Sequence, residues 1–281
     1  MGCTGDLQRE REYTLLAMSR DLSPFENCAM GFVSGGIEVT ALQSMNYWKN
    51  ASQQRLPFTM NPQILYRGYP SNLMNMGSGT MWQFAACGAA QRALLADEDR
   101  ALSMGEELAS GLVAGVSSGL LVGPLELMMI QQQVKGGSIP KRAKSIGLSR
   151  VYRGIVPAAG REGLWALGYL SFPPIIRTYL CKHHASTFQG NEEMARLAAS
   201  VFGALISCAA SHPFDTVKTC MQGDIEKSAY EGSVQTARSI VRQGGIAALY
   251  RGFGWRYSRQ VLAIFILDKA RQDLAPFLFP G

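Results

Sequence analysis

The chain has 281 residues, of which 47% are hydrophobic and 17% charged, with a formal net charge of +6. A soluble domain carries charge on about a quarter of its residues, so this composition fits a helical membrane protein as well as one large or two smaller domains, and the apolar spans below decide. Its six cysteines (Cys3, Cys28, Cys87, Cys181, Cys208, Cys220) form no Cys-x-x-Cys spacing and its three histidines (His183, His184, His212) form no ligand set, which excludes a disulfide framework and a zinc site.

Residues 1–21 read as an N-terminal tail. Asp6, Glu10 and Glu12 spoil an acid-poor transit peptide, and no apolar core marks a secretory signal, so targeting information is expected to be internal. The opening Met-Gly-Cys carries Asp6 where a myristoylation motif wants Ser or Thr.

The remainder divides into three copies of one unit, expected at 22–102, 103–186 and 187–281. Leu-Tyr-Arg-Gly occurs at 65–68, Val-Tyr-Arg-Gly at 151–154 and Leu-Tyr-Arg-Gly at 249–252. Upstream of each lies Pro-x-acid-x-x-base-x-x-x-Gln. The pattern is complete in the third unit as Pro213, Asp215, Lys218 and Gln222. It reads Pro124, Glu126, Met129 and Gln133 in the second, and is eroded to Ser44, Asn46, Lys49 and Gln53 in the first. Acid, base and Gln at i, i+3 and i+7 fall on one face of a helix.

Each copy pairs a long apolar segment ending in this pattern with a second apolar segment after Tyr-Arg-Gly. The stretch between Arg67 and Arg92 holds 24 residues without a charge, and 109–125 and 197–211 are also charge-free. A bilayer core needs about 20 mostly apolar helical residues, ~17 at the short end, so six spans are expected. Gly111, Gly115, Gly119 and Gly123 repeat every four residues, as do Ala199, Gly203, Ser207 and Ser211, the small-residue stripes that let helices in lipid approach closely. Loops within a unit are basic: 134–153 carries Lys135, Lys141, Arg142, Lys144, Arg150 and Arg153 without an acid. Residues 92–107 hold five acids against two arginines. That asymmetry is a topology signal and needs no nucleic-acid partner, since basic loops also meet anionic lipid. His212, just before Pro213, reads as a polar residue at a helix bend.

These motifs, from about Phe25 to Phe277, resemble the mitochondrial carrier family. The resemblance implies an all-α membrane protein of six transmembrane helices in three pseudo-threefold repeats with short matrix-side helices, in the mitochondrial inner membrane, with relatives in other organelle membranes. It implies alternating access, closed on the matrix side by ion pairs between repeats. Carried over by the family's pattern, Glu126 meets Lys49, Asp215 meets Met129 and Asn46 meets Lys218, so one pair is charged on both sides, with Gln53, Gln133 and Gln222 beside them. The corresponding outer positions hold Gly88/Gln91, Pro174/Arg177 and Gln272/Ala275, with Asp268 and Arg271 as a substitute one turn early.

Seven residues after each turn glycine, the family places substrate contacts, here Asn75, Arg161 with Glu162, and Arg259. At ~1.5 Å per residue they lie ~10 Å along the helix. The Arg-Glu pair resembles carriers of amino acids, and the chemistry agrees, with Arg forking a carboxylate and Glu meeting an ammonium. The competing reading is that Arg161 and Arg259 snorkel to the interface. The turns Tyr66-Arg67-Gly68, Tyr152-Arg153-Gly154 and Tyr250-Arg251-Gly252 are helix starts, and in the family they hold cardiolipin as a bound structural lipid. No other cofactor is implied.

Two functions follow. One is transport of a small metabolite, an amino acid or other carboxylate; the other is a scaffold or subunit of a larger membrane complex that has lost transport. Missing gate charges favour the second, and the retained Arg161, Glu162 and Arg259 favour the first. No nucleophile–base set, metal cluster or phosphate loop marks an enzyme.

Overall fold

The computed structural model describes residues 23–96, 100, 102–188 and 191–278, and the expected tail at 1–21 lies outside them. Its regular elements are all helical: α1 (Pro24–Gln53), α2 (Tyr69–Leu95), α3 (Met104–Lys135), α4 (Ile139–Ile146), α5 (Ile155–Ala166), α6 (Phe172–His183), α7 (Glu192–Gly223), α8 (Ser233–Gly244) and α9 (Phe253–Leu278), with short helical turns between them. Local chemistry sets the starts. Ser23 and Ser103 cap α1 and α3 in reciprocal boxes with Glu26 and Glu106, Ser103 N donating to Glu106 Oε2 at 2.7 Å. Gly68 and Gly154 precede α2 and α5 in the left-handed region, at φ 78° and 76°.

α5 and α6 continue one another through a π-helical turn at Leu167–Ser171. Pro173 and Pro174 follow it after Phe172 and have no N–H to give, so the carbonyls a turn earlier lose their donors and the helix widens. Taken as one rod, α5–α6 joins α1, α2, α3, α7 and α9 in a closed ring. Each rod packs on its neighbour in chain order, and α9 returns to α1.

Polarity in this ring runs opposite to that of a soluble bundle. Phe32 and Ile37 on α1, Trp82 on α2, Leu120 on α3, Phe202 on α7 and Phe265 on α9 face outward, while Gln43, Asn72, Gln83, Ser207 and Gln260 are buried. So broad an exposed apolar surface is an interface with lipid or protein, not with water. By length and composition alone, α3 and Leu197–Gly223 of α7 are the two described helices apolar enough to cross a membrane. Six spans were expected from the sequence. The inward polar residues of the other long helices lower their average while their outer faces stay apolar.

The glycine stripe acts as expected on α3. A Cβ at Gly115 would lie 2.6 Å from Gly163 Cα, and one at Gly119 would lie 2.7 Å from Ala159 Cα. On α7 the stripe is used differently: Ser207 and Ser211 accept hydrogen bonds from Gln260 and Arg256 of α9. Gly119→Val is therefore expected to force α3 and α5 apart and cost about 1–3 kcal/mol. The check is thermal unfolding of the detergent-solubilised protein, where an unchanged midpoint would contradict the close packing.

Candidate functional site

Pro124 and Pro213 lie inside α3 and α7, so the Pro-x-acid motif is part of a continuous helix in each. Pro213 has no N–H for the carbonyl of Ala209 four residues back, and the Tyr250 hydroxyl donates to that oxygen at 3.3 Å. His212, as expected, is structural: buried, stacked at 5.8 Å on Tyr250, with Nε2 2.9 Å from Arg251 O.

The acid and base positions of the three units meet at one level inside the ring, but not in the expected pairs. Lys49 Nζ pairs with Asp215 Oδ2 at 3.0 Å and Lys218 Nζ with Glu126 Oε1 at 2.6 Å. Asn46 Nδ2 lies 3.5 Å from Met129 Sδ. The pairings Glu126–Lys49, Asp215–Met129 and Asn46–Lys218 are thus corrected: the order around the ring runs the other way. Two bridges are charged on both sides instead of one, and the two eroded positions face each other. Asp215 is further held by Lys218 at 3.2 Å and by Gln53 Nε2 at 2.6 Å. Gln133 Oε1 accepts from Asn50 Nδ2 at 2.7 Å, whereas the amide of Gln222 is buried without a hydrogen-bond partner.

The positions expected to contact substrate are all buried. Arg161 Nη2 donates to Glu126 Oε1 at 3.0 Å and to Glu162, and Arg161 Nε lies 3.7 Å from Asp215 Oδ1. Arg259 is ion-paired to Glu38 of α1, with its guanidinium carbon 5.3 Å above the Trp165 ring. Glu162 Oε2 also accepts from Gln83 Nε2 at 3.1 Å, and Asn75 Oδ1 is buried without a partner. Burial with carboxylate partners rules out snorkelling for both arginines. Arg161 joins the ion-pair layer directly, a connection its motif position does not reveal.

Two residues escaped the motif reading. Glu38 is fully buried, and the signal was available: it is the one charge between Glu26 and Lys49. Gln83 is the other, and nothing in its sequence context distinguishes it.

The Tyr-Arg-Gly turns seat the ring. A Cβ at Gly68 would lie 3.0 Å from Met129 O, one at Gly154 would lie 3.7 Å from Lys218 O, and one at Gly252 would lie 3.0 Å from Lys49 O. Each turn therefore packs on the base position of the next unit. The arginines of these turns differ. Arg67 is exposed, but Arg153 is buried and donates to Met221 O at 2.7 Å and to Tyr230 O. The loop after α7 is shaped for this by Asp224, whose carboxylate accepts from Ala229 N at 2.8 Å and Tyr230 N at 2.9 Å. Burial opposes ionisation of Asp224, but these N–H donors outweigh it and lower its pKa.

Toward the other end, Gly88 and Gln91 are buried and bring no charge, and Arg177 is buried. The side chains of Pro174, Asp268, Arg271, Gln272 and Ala275 lie outside the described residues.

Comparison with known proteins adds to this geometry. The family profile described as Mitochondrial carrier protein matches residues 190–267, where the motif is complete. The chain is 29% identical over 205 residues to the glutamate/glycine mitochondrial carrier ymc1 of Schizosaccharomyces pombe, covering 67% of each chain. It is 25% identical over 252 residues to the mitochondrial glycine transporter YMC1 of Saccharomyces cerevisiae, covering 82% of this chain and 78% of that one. Identity is 33% over 162 residues to the mitochondrial arginine transporter BAC2 of Arabidopsis thaliana, a match that spans about half of that protein, at 53% of this chain and 51% of its own.

Double-mutant cycles separate the two pairing orders. Lys49→Met with Asp215→Asn, and Lys218→Met with Glu126→Gln, are expected to show coupling of about 1–3 kcal/mol, and Lys49→Met with Glu126→Gln a clearly smaller one, transmitted only through the shared network. Measured on unfolding midpoints, equal coupling of Lys49 to both acids would reject the order described.

Proposed function

We propose that the chain is a divergent member of the mitochondrial carrier family and that it moves a small carboxylate, foremost an amino acid, across the mitochondrial inner membrane by alternating access. At the coarser level it is a metabolite carrier of that membrane and not an enzyme. The finer reading rests on one observation: two buried arginine–carboxylate pairs, Arg161–Glu162 and Arg259–Glu38, inside the ring beside the closed ion-pair layer.

Such pairs suit a zwitterion. A solute carboxylate can take a guanidinium as a bidentate partner, while its ammonium takes the carboxylate released. The same exchange reaches the gate, because a carboxylate entering beside Arg161 competes with Glu126 for its guanidinium. Solute and closure then share one group, and a ligand that binds the open and closed forms unequally shifts their populations. Asn75, with a buried unpartnered oxygen, offers a third, uncharged contact. The six-span, three-repeat arrangement is inferred from the ring of rods and from the three equivalent turn contacts.

The scaffold reading drew its support from missing gate charges in the first unit and at the outer end. Two charged bridges and a matched neutral pair answer the first of these, while Gly88 and Gln91 at the outer end bring no charge. For lipid, Arg153 is engaged with protein carbonyls, Ile155 N–H is bonded to Tyr152 O at 3.1 Å and Pro157 has no N–H, so Val156 N–H in the first turn of α5 is the donor proposed to meet a phosphate. Cardiolipin at the three turns is inferred on that basis.

Uptake into cardiolipin-containing liposomes is the direct test. Arg259→Ala leaves Glu38 buried and unpaired, a change costing about 2–5 kcal/mol, so uptake is expected to fall by at least about thirtyfold with the protein still folded. Unchanged uptake would remove Arg259 from the site. Failure of the wild type to move any of a broad solute panel, together with co-purification in a larger complex, would favour the scaffold.

A further inference from the structure

Among the described residues, the charges around the ion-pair layer do not balance. Lys49, Lys218 and Arg161 are linked in one network to Asp215, Glu126 and Glu162, and Arg259 is matched by Glu38. Arg256 is left over. It is 3% exposed and forms no ion pair among the described residues. Its Nη2 donates to Ser211 Oγ at 2.6 Å, and its Nη1 is buried without a partner. Three residues before Arg259 on α9, it lies on the same helix face as the proposed solute contact.

An unpaired guanidinium in such a place is costly, and charges within a membrane protein face a counter-charge or a wet pathway. We propose that Arg256 is the charge-selecting residue of the solute site, and that the solute it selects is a small amine-bearing carboxylate with one net negative charge. One carboxylate and one ammonium exchange with the Arg259–Glu38 pair and leave its balance unchanged. A second carboxylate meets Arg256 and brings this set of charges to neutrality. A solute without it leaves the cation unanswered, and one with a net positive charge adds to the excess. Discrimination here comes as much from repelling the wrong charge as from binding the right one. This inference rests on the carrier reading above and names its substrate class.

The test is initial uptake by the full-length protein in liposomes of four probes that form a charge series: L-arginine, glycine, L-glutamate and 2-oxoglutarate. L-glutamate is expected to lead each of the others by about tenfold, the ratio that 1.4 kcal/mol provides. Arg256→Gln is expected to bring the glutamate-to-glycine ratio to about one while glycine uptake persists, and Arg256→Lys to keep a preference for glutamate. Unfolding midpoints of both variants report whether they are folded. If Arg256→Gln does not fold, the wild-type series and Arg256→Lys decide: a lead for arginine, glycine or 2-oxoglutarate, or loss of the glutamate preference in Arg256→Lys, overturns the proposal. A wild-type ratio retained by Arg256→Gln overturns the role of Arg256 while leaving transport standing. If none of the four probes moves in the wild type but another solute does, the charge class is wrong; if nothing moves, the carrier reading falls with it.

Discussion

A charge sealed inside a helix ring is costly without a counter-charge, because desolvation of an unmatched ion costs several kcal/mol. This constraint organises the interior. Lys49, Lys218 and Arg161 interlock with Asp215, Glu126 and Glu162, so the ring closes at the level of its Pro-x-acid motifs, through contacts that reach from α1 to α7, from α7 to α3 and from α3 to α5. Helices that share no covalent neighbour are held by these contacts, and such pairs can break and re-form as units.

The same constraint explains how erosion was tolerated. Asn46 and Met129 each lack the charge their position would carry, and they sit opposite one another at 3.5 Å. Losing one partner would have stranded the other; losing both exchanges an ion pair for an amide and a thioether in van der Waals reach, a change that buried pairs often accept at little cost. The closure is therefore weaker by one bridge, but no charge in it is stranded. Arg161, which bonds Glu126 and the neighbouring Glu162, ties this layer to the proposed solute site.

Backbone geometry makes the arrangement possible. Gly68, Gly154 and Gly252 hold φ near 77°, at 78°, 76° and 77°, which only glycine adopts without strain, and each presses against the base position of the next unit. Gly115 and Gly119 bring α3 onto α5 closely enough for Glu126 to reach Arg161. The outer surface is apolar, and the interior combines buried polar residues with an apolar cluster that includes Leu42, Phe84, Trp165, Leu170 and Ile264, so close packing and buried polar contacts, more than removal of apolar surface from water, hold such a ring.

Much of this was legible in the sequence. The repeats, the helical character, the small-residue stripe, the turns and the identity of the charged positions all come from spacing and residue type, which are local properties of a chain with a 3.6-residue period. The partner of Glu126 was not legible. A linear motif says which residues share a helix face but not which way around a closed ring that face looks, so Lys218 in place of Lys49 emerged only when α7 was set beside α3 and α1. Glu38 shows the same limit. Its lone charge in an apolar run was visible, yet its meaning depends on Arg259, 221 residues away. Sequence determined which groups would be buried and charged, and tertiary structure decided which of them would neutralise one another, because charge pairing depends on distance in space.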